Sequence, residues 1–369
     1  MIKVFGSKVG KEELEQVQDS IDNQWLGAGP KVKEFEYLFG LKINSPNYIM
    51  IDNASNGMFM AIQLLNLPVG SEIIIPTFTW ISCAHAIRMC GCIPVFCDVD
   101  LQTQNVTAAL IAPCITTKTK AIMVVHYAGL PVDMDPIMQF GLPVIEDAAH
   151  AADSLYKGKH CGTIGDMGVY SYDSMKNIAI GEGGGFTCVD KQVLQRASVM
   201  RGCGLATPAY AQAGVQNTRW WEQEAEEVSI KMKVSDIAAG FGLAQLNKLV
   251  LLQAKRKQIW DTYQKELATV GDIILPTDAP KDGGYKHSYF TFLIKTNSRD
   301  ELSRYLYEHD IYTTLRFYPL HLMKIYRTGK KLENAELLKE TALNIPLHPD
   351  MDDDDVTKVI AIIKSFYNV

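Results

Sequence analysis

The sequence predicts an α/β protein with a large, mostly parallel seven-stranded sheet and a smaller C-terminal α/β domain. From Tyr48 onward, short apolar runs alternate with stretches of helical periodicity, a pattern typical of a parallel sheet with helices on both faces. A chain of 369 residues, 47% of them hydrophobic, can bury one large core and a smaller one. The predicted strands lie at 48–51, 72–76, 93–97, 121–125, 143–145, 168–172 and 185–189.

The pattern changes after residue 233, where apolar residues recur at steps of three and four over 234–270. This periodicity predicts a long helix that links two domains, with residues 1–233 forming the large domain and 271–369 the small one. Within the small domain, YFTFLIKT indicates a strand, RDELSRYLYEHD a helix, and DDDVTKVIAIIKSFY a C-terminal helix with an acidic first turn.

Composition disfavours several classes of protein. A net charge of -6 without a basic stripe argues against a nucleic-acid surface. Eight cysteines are too few for a disulfide framework, and no charged and apolar leader precedes Val4, so we expect a cytoplasmic protein. No apolar run is expected to reach membrane-spanning length. The C-x-C-x4-C spacing of Cys90, Cys92 and Cys97 lacks a second ligand pair, so no metal is expected.

The segment from Glu146 to Gly185 contains the residue types that carry chemistry. One apolar strand ends in Asp147, and a second leads to Ser171, then Lys176 and a glycine-rich turn. A buried carboxylate can keep a pyridine nitrogen protonated, and a lysine amine can form a Schiff base with an aldehyde. The Ser171 hydroxyl could donate to a phosphate. A solvated loop lysine is the alternative for Lys176, but the upstream Asp147 favours pyridoxal 5'-phosphate chemistry.

These motifs resemble those of the DegT/StrS-type sugar aminotransferases, a pyridoxal phosphate family of fold type I within the aspartate aminotransferase superfamily. EDAAH, beginning at Glu146, is similar to the family's EDAAQ or EDAAH, and SYDSMKNIAIGEGG, beginning at Ser171, to its SFxxxKNxxxGEGG. The resemblance runs from about Val4 to the C-terminus. It implies catalytic roles for Lys176 and Asp147, a homodimer with shared active sites, and amine transfer from an amino acid, with glutamate expected, to a keto-sugar in amino-sugar or surface-polysaccharide biosynthesis.

Further cofactor contacts are expected from geometry and the resemblance together. Ala54 and Ser55 open a helix directly after a strand, where free backbone N–H groups and a hydroxyl can hold a phosphate. The resemblance places Trp80 over the pyridine ring and His150 near the phenolic oxygen of the cofactor. The alternatives are a helix cap for Ser55, a core position for Trp80 and a structural hydrogen bond for His150.

The run SIKMKVSD departs from the family pattern. Family members usually carry an asparagine here that reaches the cofactor phosphate of the neighbouring subunit, whereas this chain has Lys231 and Lys233. A lysine can bind a phosphate as a point charge, so one of the two is expected to reach the neighbouring site, with Lys233 preferred. The alternative is a pair of lysines on a solvated edge strand.

A second departure lies in LRFYPLH, where nucleotide-sugar members often show a histidine at the position of Arg316. Arginine pairs bidentately with a carboxylate, which both a glutamate donor and an acidic keto-sugar possess. We therefore expect Arg316 to bind a substrate carboxylate, the alternative being a surface arginine on a strand end. His321 is expected on the substrate side of the pocket.

Three rival functions remain at this point. A dehydratase branch of the family carries histidine in place of the lysine, which Lys176 argues against. A non-enzymatic cofactor-binding regulator is disfavoured because every catalytic position is occupied. Transamination of a cyclitol or an acidic, ulosonate-type keto-sugar stays open. The stretch from Leu205 to Glu227, with Trp220 and Trp221, is expected to pack at a dimer interface or to cover the pocket mouth.

Overall fold

The structure is a computed structural model that describes residues 1–205 and 224–369, so Trp220 and Trp221 lie outside the described residues. The strands are β1 Tyr48–Ile51, β2 Glu72–Pro76, β3 Ile93–Cys97, β4 Thr119–Val125, β5 Val144–Asp147, β6 Leu155–Tyr156, β7 Lys159–His160, β8 Met167–Ser171, β9 Gly184–Cys188, β10 Phe292–Lys295 and β11 Ala342–Ile345. The helices are α1 Lys11–Asp22, α2 Pro30–Lys42, α3 Ala54–Leu64, α4 Ile81–Met89, α5 Ala108–Ile111, α6 Met134–Met138, α7 Lys191–Arg201, α8 Asp236–Glu266, α9 Arg299–Glu308, α10 Glu333–Thr341 and α11 Asp353–Phe366.

Seven strands form one sheet in the order β1-β9-β8-β5-β4-β2-β3. Neighbouring strands run parallel except at β9, which is antiparallel to both β1 and β8. The predicted mostly parallel seven-stranded sheet is therefore confirmed. The first three strands have the predicted bounds, and the other four are displaced or extended by one or two residues, since strand ends depend on pairing that one strand's sequence does not contain.

The apolar side chains form two main core clusters. The larger one fills the space between the seven-stranded sheet and the helices that cover it. The second lies between the C-terminal half of α8, the two-stranded β10–β11 sheet, α9 and α11. Because some residues after 271, such as Phe317 and Leu338, belong to the larger cluster, the division at 233 and 270 stays a prediction.

Helix α8 is 31 residues long and is capped by Ser235, whose side chain accepts a hydrogen bond from the Ala238 N–H. Its first half packs against α1 and α2. Among the described residues, α8 alone has the length and hydropathy of a membrane span, and half of its most apolar window is buried inside the protein. The prediction that no apolar run reaches membrane-spanning length is therefore wrong by length and composition. A helix that crosses a protein core needs the same apolar residues as a membrane span.

The sheet brings the chemistry-bearing residues to one edge. Asp147 ends β5 and Ser171 ends β8, and these strands are parallel neighbours. Strand β9 runs the other way, so its first residue, Gly184, pairs with Ser171 at the same edge. The loop that contains Lys176 connects β8 and β9 and therefore lies over the carboxyl ends of the strands, where α/β sheets usually bind ligands.

Candidate active site

A cavity of about 300 Å³ opens at this edge of the sheet. Phe317, Asp173 and Glu182, which were not predicted from sequence, line part of this cavity. Eight of the residues predicted from sequence line it: Ala54, Ser55, Trp80, Asp147, His150, Ser171, Lys176 and Arg316. The fold brings them together from five separate stretches of the chain, although their individual roles stay predictions.

Lys176 lies in this cavity with only 9% of its surface exposed. A tight turn positions it, since its backbone N–H donates to the Asp173 carbonyl at 2.9 Å. Burial and, to a smaller extent, the nearby positive charge of Arg316 together lower the pKa of the Lys176 amine to about 7. A substantial fraction of the amine is therefore neutral near pH 7, as a nucleophilic lysine requires.

Asp147 is buried at the floor of the cavity. One carboxylate oxygen accepts a hydrogen bond from the Ala149 N–H at 2.9 Å, and the other from the Cys83 thiol at 3.3 Å. Burial raises the pKa of Asp147, while these donors and the charge of Lys176 oppose that rise. The carboxylate can therefore pair with a protonated ring nitrogen that reaches the cavity floor.

Glu146 and His126 hold the strand end that carries Asp147. The fully buried Glu146 carboxylate accepts hydrogen bonds from the backbone N–H groups of Gly162, Ile164 and Gly165, at 2.8, 2.6 and 2.6 Å respectively. His126 Nε2 lies 2.8 Å from the same carboxylate, and His126 Nδ1 accepts from the Val132 N–H at 3.0 Å. Because Nδ1 accepts, we assign the proton to Nε2, which donates to Glu146.

The His150 ring stacks on Phe290, with ring centroids 4.1 Å apart and planes 16° apart. Burial lowers the pKa of His150 well below its usual value, so the imidazole is neutral. Its Nδ1 is buried without a hydrogen-bond partner among the described residues. An unpaired buried nitrogen in a cavity wall can bind a polar ligand atom at little extra cost.

The start of α3 forms another wall of the cavity. Asn53, and not Ser55, caps this helix, since the Asn53 side chain accepts from the Asn56 N–H at 2.8 Å. The Ser55 hydroxyl and the first N–H groups of the helix are therefore available to an anion. A Cβ atom at Gly184 would lie 2.8 Å from the Ala54 backbone nitrogen, so glycine is needed for β9 to approach the helix this closely.

Arg316 also lines this cavity. Its guanidinium carbon is 4.3 Å from the ring centroid of Phe5, 5.1 Å from that of Phe290 and 5.6 Å from that of Phe317. Burial lowers its pKa from the usual value, and Nε has no hydrogen-bond partner in the described part of the chain. Arg316 is thus a partly buried cation, unlike the surface arginine that was the alternative prediction.

Three predicted residues lie outside this cavity. Lys231 and Lys233 line a separate opening of about 320 Å³ together with Trp25 and Gly27. His321 is buried, with Nδ1 2.7 Å from Thr77 Oγ1 and Nε2 3.3 Å from a Glu336 carboxylate oxygen. In a single chain these residues do not meet the predicted cofactor site, and their expected roles stay predictions.

Sequence reasoning did not identify Phe290, Phe317 or Cys83 as parts of the site. Phe290 lies in the predicted strand segment YFTFLIKT, more than 100 residues after Lys176, and nothing in its local pattern points to a cavity. Cys83 had a usable signal, because it lies one turn of helix after Trp80. Helical spacing alone would have placed the two side chains near each other.

Comparison with known proteins identifies the family. The sequence matches the model of the DegT/DnrJ/EryC1/StrS aminotransferase family over residues 7–364. The chain belongs to this family. This DegT/DnrJ/EryC1/StrS protein is therefore a pyridoxal phosphate-dependent transaminase, as the sequence motifs indicated.

Relatives of this family member agree along nearly its whole length. It is 33% identical over 365 residues to a dTDP-4-dehydro-2,3,6-trideoxy-D-glucose 4-aminotransferase from Saccharopolyspora spinosa, covering 97% of this chain and 95% of that protein. It is 32% identical over 372 residues to the spore coat polysaccharide biosynthesis protein SpsC from Bacillus subtilis, covering 96% and 94%. These relatives support the predicted sugar aminotransferase activity.

Solved structures support the predicted aspartate aminotransferase-like fold. The aminotransferase TlmJ from Streptoalloteichus hindustanus superposes with a TM-score of 0.93 at 34% identity, covering 99% of this chain and 98% of that one. Spr1654 from Streptococcus pneumoniae, in its PMP form, has the same fold, with a TM-score of 0.91 at 24% identity and coverage of 99% and 98%.

Proposed function

We propose that this protein uses pyridoxal 5'-phosphate to transfer an amino group from an amino acid, with glutamate as the expected donor, to a keto-sugar. One observation carries the proposal most directly. A buried lysine with a pKa of about 7 lines the same cavity as a buried carboxylate, and each stands at the motif position where the family has it. A histidine in place of Lys176 would instead have favoured dehydration.

The residues of the cavity fit the cofactor. Asp147 is the buried carboxylate suited to a protonated ring nitrogen, and the start of α3 with Ser171 is suited to a phosphate dianion. Trp80 and the neutral His150 are suited to the ring face and the phenolic oxygen. The unpaired Nδ1 of His150 supports this fit, because it is a buried polar atom that lacks a partner among the described residues.

When bound, the cofactor supplies an aldehyde that bonds amines and a protonated ring that accepts electron density. Lys176 Nζ supplies the amine for that aldehyde while substrate is absent. With the cofactor bound, the amine of Lys176 would be the group that takes the proton from the donor α-carbon and gives it back. The pKa of about 7 favours this role, since one group must both accept and release the proton near neutral pH.

Arg316 supplies the positive charge for a substrate carboxylate. Arg316 lines the cavity, and its buried Nε has no hydrogen-bond partner among the described residues. A donor such as glutamate carries the matching charge, and an acidic keto-sugar would carry it as well. The relative from Saccharopolyspora spinosa acts, by its name, on a dTDP-linked sugar, so a nucleotide-linked keto-sugar is the first acceptor class to test.

We extend the proposal to the assembly. Lys231 and Lys233 lie outside the cavity of their own chain. This position fits a homodimer, in the cytoplasm, in which Lys231 or Lys233 of one subunit lies at the cofactor phosphate of the other. The exposed Trp25 and Ile230, 47% exposed each, supply apolar surface for such an interface. We keep 1–233, 234–270 and 271–369 as the proposed domain division, and His321 as a residue near the substrate side.

The experiment uses the purified holoenzyme converted to its amine form with glutamate. A panel of keto-sugars (free and nucleotide-linked, neutral and acidic) and of keto-cyclitols is added, and the return of the aldehyde absorbance is recorded. We expect at least one keto-sugar to restore the band. A return with keto-cyclitols alone would favour cyclitol transamination. No response to glutamate and no response to any acceptor would instead favour a non-enzymatic regulator.

A further inference from the structure

The N-terminal segment of the chain reaches Arg316, which lines the cavity that contains Lys176. The Ile2 N–H donates to the Asp310 carbonyl at 2.7 Å, and the Tyr312 N–H donates to the Ile2 carbonyl at 2.9 Å. The Leu347 N–H donates to the Val4 carbonyl at 3.2 Å. These bonds, which include an isolated parallel β-bridge between Ile2 and Ile311, attach the segment to the C-terminal part and leave Phe5, 8% exposed, against Arg316.

Phe5 and Phe290 form an aromatic pair beside the Arg316 guanidinium. Their rings stack with centroids 5.7 Å apart and planes 7° apart. The guanidinium carbon lies closer to Phe5, at 4.3 Å, than to Phe290, at 5.1 Å. Both distances are within the range of a cation–π interaction, which grows stronger when the cation is shielded from water.

This arrangement leaves the hydrogen-bonding capacity of Arg316 unused. In residues 1–205 and 224–369, no carboxylate forms an ion pair with Arg316, and its buried Nε is unpaired. An aromatic face stabilises the charge of a guanidinium without accepting any of its five N–H donors, whereas a protein carboxylate would occupy two of them. The aromatic pair therefore keeps both the charge and the donors available to a ligand.

We propose that Phe5 is a positioning residue for carboxylate recognition, holding the Arg316 guanidinium against the cavity wall with its donors directed at the substrate. This inference rests on the proposed function, in which Arg316 binds a substrate carboxylate. It assigns a specificity role to a residue more than 300 positions away in sequence. Phe5 itself does not line the cavity, so its effect passes through Arg316.

The test compares Phe5→Leu, Phe5→Ala and Phe5→Tyr with Val4→Ala and Arg316→Ala. Val4 is the matched control, because it is buried in the same small cluster but has no ring to contact the guanidinium. Two quantities are measured: the Kd of 2-oxoglutarate for the cofactor-free protein by calorimetry, and the KM and kcat of the holoenzyme for glutamate.

We expect Phe5→Ala and Phe5→Leu to raise both Kd and KM by about 5- to 30-fold, the range that one shielded cation–π contact provides, with kcat changed much less. Phe5→Tyr keeps the ring and should bind as the wild type does, as should Val4→Ala. If Phe5→Ala fails to fold, Phe5→Leu keeps the side-chain volume and decides alone.

Two outcomes separate the inference from the function beneath it. Wild-type binding by Phe5→Leu, combined with weakened binding by Arg316→Ala, would overturn the role of Phe5 and leave carboxylate recognition intact. Wild-type binding by Arg316→Ala would overturn carboxylate recognition by Arg316 and the role of Phe5 with it. Equal weakening in Val4→Ala and Phe5→Leu would show general loosening of the segment and would also overturn the inference.

Discussion

Lys176 and Arg316 share the ring of Phe290: Nζ of Lys176 lies 5.0 Å from its centroid and the guanidinium carbon of Arg316 lies 5.1 Å from it. Two cations this close to one buried ring repel each other, and the repulsion lowers the pKa of Lys176, the group with the lower ordinary pKa. Arg316 thus adds to the burial that lowers the pKa of Lys176 to about 7. The same pair is expected to set the reactivity of the amine and the recognition of the substrate.

Lys176→Ala is expected to lower kcat by about 10²- to 10⁴-fold or more, because both the amine that bonds the aldehyde and the proton carrier are lost. Cofactor binding is expected to persist, since the groups suited to the phosphate and the ring are unchanged. Steady-state kinetics and a cofactor titration by absorbance measure the two effects. Turnover near the wild-type rate would refute the assignment of Lys176.

The reactivity of Lys176 is expected to depend on pH near neutrality. In the cofactor-free protein, its rate of trinitrophenylation, followed by mass spectrometry, should rise through about pH 7, because the neutral amine forms there. Arg316→Met should move this rise to higher pH by removing a positive neighbour. Arg304→Met, at an exposed arginine outside the cavity, should leave it unchanged, and an identical profile in Arg316→Met would contradict the coupling.

The same lowered pKa has a consequence for stability. Between about pH 7 and the ordinary value of 10.5, the unfolded chain binds a proton at Lys176 that the folded chain does not. The contribution of this group to the free energy of unfolding therefore rises with pH across that window. In Lys176→Met the rise should be smaller than in the wild type, which urea unfolding at a series of pH values would measure.

Asp147→Asn is expected to lower kcat by about 10²- to 10⁴-fold, because an amide cannot stabilise a protonated ring nitrogen as a carboxylate does. Cys83→Ser is the matched control, since it keeps a donor at the position from which the thiol contacts Asp147 at 3.3 Å. It should change kcat only a few-fold. Comparable losses in the two variants would mean that packing around Asp147, and not its charge, supports turnover.

Glu146→Ala is expected to lower the free energy of unfolding by about 3–5 kcal/mol, because three backbone N–H groups, two buried and one partly buried, and His126 lose their acceptor. Equilibrium unfolding in urea measures the change. Glu333→Ala is the control, since Glu333 is exposed and, within the described part of the chain, forms only a surface ion pair with Lys331, worth at most about 1 kcal/mol. A loss below about 1 kcal/mol in Glu146→Ala would contradict the anchoring role.

Mixing two inactive variants tests whether Lys233 serves the neighbouring site. If it does, a heterodimer of one Lys176→Ala chain and one Lys233→Ala chain has one site with both defects and one site with neither. Activity measured with limiting cofactor should therefore return on mixing. Restoration should approach one functional site per heterodimer. If Lys233 acts within its own chain, each site keeps one defect and mixing restores nothing. Repeating the experiment with Lys231→Ala decides between the two lysines.

Much of the site could be predicted because its residues follow the ends of strands. Asp147 and Ser171 end neighbouring parallel strands, so recognising those strands already placed both at one edge of the sheet. The local pattern also located the start of α3, but it did not show that Asn53 would cap the helix and leave Ser55 available. Cap geometry depends on backbone angles that both residues tolerate equally well.

The sequence by itself determined the fold class, the order of the seven strands along the chain and the identity of the lysine and carboxylate, since alternating apolar periodicity and two contiguous motifs encode them. Only the tertiary structure decided that Phe5 and Phe290 meet at Arg316, that Glu146 anchors the loop around Gly162, and that His321 contacts Thr77. The physical reason is that such contacts join residues far apart in the chain. They depend on how the sheet, α8 and the C-terminal part pack against one another, which no local window of the sequence contains.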